Sequence, residues 1–122
     1  MPKVTFDEGF STEHLEGESL KVANVILAGI RKFYQQAAED THLESGGCRM
    51  FHEKNKLGWG SSRGVLLTVV HEGTDVDHFF SLDACFNGRI GFSTYEFMQN
   101  HIAKEGFFAE QYNSCVTKVY KS

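Results

Sequence analysis

What this chain lacks narrows its class before any motif is read. It has one proline, Pro2, in 122 residues, which argues against a disordered or linker-rich chain. Three cysteines, Cys48, Cys85 and Cys115, stand far apart with no CxxC. So odd and sparse a set is neither a disulfide framework nor a zinc ribbon, and reduced thiols in a cytoplasmic protein are expected. No stretch approaches the ~20 apolar residues of a membrane helix. The opening MPKVTFDEGF has no apolar core of a signal peptide. Neither a membrane nor secretion is therefore expected. Positive charge is also short, with 12 Lys and Arg against 16 Asp and Glu and a formal net charge of −4. A phosphate backbone repels such a surface, which disfavours general nucleic-acid binding. Walker A, GxSxG and HExxH patterns do not occur, so phosphate-loop, serine-elbow and zincin chemistry have no signature here.

What the chain does have is aromatic weight: eleven Phe, four Tyr and one Trp. These are spread across the expected elements, which suits a core better than a special surface. The length fits a single α+β domain over residues 1–122. Residues 1–17 are acidic and irregular, with a short strand expected at 3–6. A helix is expected over 18–40, where Leu20, Ala23, Leu27, Ile30, Tyr34 and Ala37 recur at alternating spacings of three and four. Ile26 and Phe33 widen this stripe, and Ala28 and Gly29 permit close approach of another backbone.

A strand is expected at 48–53 and a loop at 54–64, with a brief strand at 57–59. The clearest pattern runs over 64–86, where two apolar stretches flank a Glu-Gly-Thr-Asp turn. It predicts a β-hairpin with Val65, Leu67, Val69 and His71 on one face of its first arm. Asn87-Gly88 marks a turn. Ser93 and Glu96 then have the spacing of a capping box, with Phe92 and Phe97 placed for a hydrophobic staple. The second helix is expected over 94–105, stopping at Gly106. A final strand is expected at 114–120, with 107–112 readable as helix or strand. The fold expected is α+β and two-layer: an antiparallel sheet of about four to five strands, a long N-terminal helix, and a second helix before the last strand.

Several side-chain groups suggest chemistry. His71 and His78 face each other if Thr74-Asp75 is the hairpin tip, and His52 joins them as a possible metal set. Unrelated histidines at a hairpin end are the plainer reading. The loop KNKLGWGSSRG offers Lys56, Trp59, Ser61, Ser62 and Arg63 to an anionic, nucleotide-like ligand. The plainer reading is a solvated loop with Trp59 on a sheet edge. Cys85 near Asp83, Cys48 and Cys115 show no cationic setting that would make a nucleophile. Glu72, Asp75, Asp77 and Asp83 suit the needs of a turn. His14, His42 and His101 read as surface or helix-flank residues.

No catalytic constellation emerges, and no cofactor is implied. The expected function is a small soluble, non-enzymatic binding protein. It would act through protein contacts as a modulator or inhibitor of a larger partner, as a homodimer. Leu66, Val70 and Phe79 on a second sheet face, with Val22 and Val25 on the first helix, are the expected interface, because uncovered apolar area marks a contact. The alternatives are the anion binder at 54–64 and a histidine-based metal enzyme.

Overall fold

The computed structural model describes residues 3–53, 63–82 and 93–122. Strand β1, Val4–Phe6, leads through a single 3-10 turn at Glu8–Phe10 into helix α1, Gly17–Tyr34. Val22, Ala23, Ile26, Leu27 and Ile30 form its buried stripe, the helical period expected of a face laid on a core. Arg31 and Lys32 lie in the last turn, where cations offset the negative end of the helix dipole.

The helix ends at Tyr34, earlier than the expected 40. The Ala37 N–H turns back to the Tyr34 carbonyl at 3.0 Å. Asp40 instead accepts a hydrogen bond from the Lys3 amide at 2.8 Å, and the Thr41 amide donates to the Lys3 carbonyl at 2.8 Å. These bonds draw the chain into strand β2, Thr41–Leu43, parallel to β1 with Val4 opposite Thr41. Parallel strands need a crossover, and α1 supplies it.

The main sheet is antiparallel, in the order β3, β4, β6, β5. Its strands are β3, Phe51–Glu53; β4, Val65–Val70; β5, Phe107–Gln111; and β6, Val116–Lys121. Helix α2, Ser93–Ala103, precedes the last two strands. Gly106, with φ of +87°, makes the left-handed turn after it at no side-chain cost. Phe51 is opposite Val69, Val69 opposite Thr117, and Ala109 opposite Val119. That register puts Phe51, Leu67, Val69, Val119, Ala109 and Phe107 on one inner face, in a single cluster with the apolar stripes of α1 and α2. The result is the expected two-layer α+β fold.

The hairpin over 64–86 does not form. Strand β4 is central as expected, but its partners are β3 and β6. Beyond it, residues Asp77–Phe79 form a 3-10 turn. The Phe79 amide donates to the Val76 carbonyl at 3.1 Å, and those of Phe80 and Ser81 donate to the Asp77 carbonyl at 2.9 Å. Phe79 and Phe80 are both buried, and a strand would send neighbouring side chains to opposite faces. The rest of the expected second arm, Asp83 to Phe86, lies outside the described residues. So do the expected strand at 57–59, the Asn87-Gly88 turn and Phe92 of the staple.

A register shift falls between Val65 and Leu67. Val65 therefore shares the outer face with its partner Tyr120, while Leu66 packs against the core cluster. This reverses the expected directions of these two neighbours, because one extra residue flips every side chain before it.

Candidate functional site

The three histidines of the expected metal set are held apart by separate partners. His71 follows β4 and is fully buried. Its Nδ1–H donates to Asp77 Oδ1 at 2.5 Å. Its Nε2 stands 3.0 Å from the Thr117 hydroxyl, which donates to it when the ring is neutral. The ring stacks on Phe80 with centroids 5.7 Å apart. His78 Nε2 instead hydrogen-bonds the Tyr34 hydroxyl at 3.3 Å, and His52 Nε2 bonds the Arg49 carbonyl at 3.0 Å. Among the described residues, no group of three or more His, Cys, Asp or Glu can hold a metal. The expected trio is thereby corrected: without the hairpin, nothing brings His78 across from His71.

Asp77, His71 and Thr117 follow the order of an acid–imidazole–hydroxyl relay. Residue exposures of 0% for His71 and 1% for Thr117 keep the hydroxyl from any substrate carbonyl. The network therefore works as a clamp joining β4, the 3-10 turn and β6. Burial pushes the pKa of His78 down, against the opposing pull of the Asp77 charge and of a hydrogen bond from the ring to the Asp75 backbone carbonyl. Burial pushes the Tyr34 phenol up, helped by the charge of Asp75.

The Cys115 thiol donates to the Glu72 carboxylate, and that bond raises its pKa above the ordinary value. A nucleophile needs the reverse. Cys48 is exposed, and Cys85 lies outside the described residues. In the loop proposed for anions, Lys56, Trp59, Ser61 and Ser62 also lie outside them, and Arg63 is exposed. His101, read as a flank residue, is half-buried and donates from Nε2 to the Val25 carbonyl of α1 at 2.8 Å.

The expected interface residues are redistributed. Val22 and Phe79 are fully buried in the chain's own core, and Val25 and Leu66 pack half-buried against it. Val70 alone of the five lies on the outer face, opposite Val116. The outer face is covered at its centre, where Thr68, Val116 and Lys118 are buried. It opens at the β5 side. Phe108 is 38% exposed and Tyr112 48% exposed. Phe108 stacks on Tyr120 with centroids 5.2 Å apart and planes 19° apart, and Lys118 Nζ lies 4.3 Å from the centre of the Tyr112 ring. Phe108, Glu110 and Tyr112 fall at alternate positions, so they share a face. Strand β5 ends the sheet order.

This surface was missed because residues 107–112 read equally as helix or strand. Once they are read as strand, the period of two in FFAEQY separates Phe107, Ala109 and Gln111 from Phe108, Glu110 and Tyr112. No protein-family model, curated protein or solved structure matches this chain. No helix among the described residues is long and apolar enough to cross a membrane.

Proposed function

We propose that this chain is a small, soluble, cytoplasmic binding protein without catalytic activity. It acts through protein contacts as a modulator or inhibitor of a larger partner, and it works as a homodimer. The supporting observation is Phe108 and Tyr112, the exposed large hydrophobic residues of the described chain, on the same face of the β5 side of the sheet with Glu110 between them. Aromatic residues bring large apolar area and few rotatable bonds to an interface, which is why they dominate contact energies. Glu110, exposed between them on the same strand, adds a border charge of the kind that orients a partner.

Native mass spectrometry of the protein taken straight from its own cell tests this reading. The expected species is a dimer, alone or carrying a protein partner. Replacing Phe108 and Tyr112 together by Ser is expected to release both. A monomer with no bound protein would overturn the proposal.

A further inference from the structure

The last turn of α1, the turn that follows it and Phe97 of α2 border an open cavity of about 430 Å³ lined by Lys32, Phe33, Tyr34, Gln36, Ala37 and Phe97. That volume is in the range of small-molecule sites, which combine apolar walls with a few polar groups. The three aromatic walls are half-buried, yet each is fixed from behind. Phe33 meets the fully buried Phe79 edge-on, with planes at 90° and centroids 5.2 Å apart. Tyr34 is tied by its hydroxyl to His78. Phe97 stacks on His101 with planes 9° apart, and His101 is anchored to the Val25 carbonyl. Gly29 makes that anchor possible, since a Cβ there would come within 2.6 Å of the His101 ring. Walls already held in place lose little freedom when a ligand binds. Ala37 leaves the space unfilled. Lys32 in the last turn of α1 and Gln36 just past its end bring an ammonium and an amide to the lining. Among the described residues that line the cavity, Lys32 is the charged one.

We propose that this cavity is a binding site for a small planar aromatic anion. The rings of Phe33, Tyr34 and Phe97 would enclose its apolar body, and Lys32 and Gln36 would take its acid group. The site is separate from the β5 surface and does not rest on the protein-binding reading.

The test titrates the full chain with anilinonaphthalene sulfonate and with phenylnaphthylamine, the same ring system without the acid group. Binding is followed by probe fluorescence, and its place by amide chemical shifts. The expected result is saturable binding of the sulfonate, with shifts gathered at residues 32–37 and 97. Lys32→Gln should weaken the sulfonate roughly fivefold, the scale of an exposed ion pair, and leave the neutral probe within about twofold. Ala37→Phe, which fills the cavity and removes no wall, should abolish binding of both. The proposal is overturned if the sulfonate does not saturate or if Lys32→Gln changes nothing. Shifts gathered around Phe108 and Tyr112 would overturn it too.

Discussion

The two faces of the main sheet have the same strands and opposite fates. On the inner face, Leu67, Val69 and Val119 are fully buried in one cluster with α1, α2 and the turn that carries Phe79 and Phe80. The outer face is closed over Thr68, Val116 and Lys118 and open over Phe108 and Tyr112. Stability therefore resides on the inner side, while the outer edge carries apolar area that the chain's own fold does not require. Apolar residues that contribute little to folding are the ones available for a partner.

The inner face is the more sensitive to substitution. Leu67→Ala leaves a cavity between β4 and the helices and should cost about 3 kcal/mol in denaturant unfolding. Asp77→Ala removes the acceptor of the buried His71 Nδ1–H. Leaving such a donor unpaired should cost about 2 kcal/mol. In hydrogen exchange, the amides of Phe79, Phe80 and Ser81 should open first, because the turn loses its tie to β4 and β6.

A smaller effect is expected from pH. Burial lowers the pKa of His78 from its ordinary 6.5, so the unfolded chain binds a proton that the folded chain resists. The neutral ring's contribution is complete above that unfolded value and shrinks as pH falls from there toward the lower folded pKa. Unfolding measured on both sides of this window should show stability falling on acidification. His78→Gln should flatten that slope. Smaller than the loss at Leu67 should be that of Phe108→Ser, which gives up the stack on Tyr120 and is expected to cost about 1 kcal/mol of folding stability while removing half of the exposed aromatic area. A loss as large as that of Leu67→Ala would place Phe108 in the fold and end the distinction between the faces.

How much of this was legible in the chain depends on where local pattern and tertiary partner agree. The stripe of α1 and the strand 65–70 were readable because their periods match what they pack on. Gly106 marked the end of α2 because a left-handed turn favours glycine. The hairpin misled because Phe79 and Phe80 are consecutive apolar residues, and apolar density alone does not separate a strand from a buried turn. The turn is selected by a contact between distant elements, His71 and Asp77 with Thr117, which no local pattern encodes. Leu66 was assigned to the wrong face because the register shift beside it depends on how β6 pairs. The α1–α2 cavity had a trace in the sequence, since Phe33 lay at the edge of the helical stripe and Phe97 at the staple position. Their meeting required the packing of the two helices.

Light scattering on the purified chain, coupled to size-exclusion chromatography, reads out the dimer and its dependence on the β5 aromatics. The wild type is expected at twice the 13.8 kDa chain mass, and the Phe108→Ser, Tyr112→Ser double variant at the single mass, still folded, with a cooperative melting transition that no longer depends on protein concentration. A wild-type chain that stays at the single mass at high concentration would contradict the account, as would a double variant that remains a dimer.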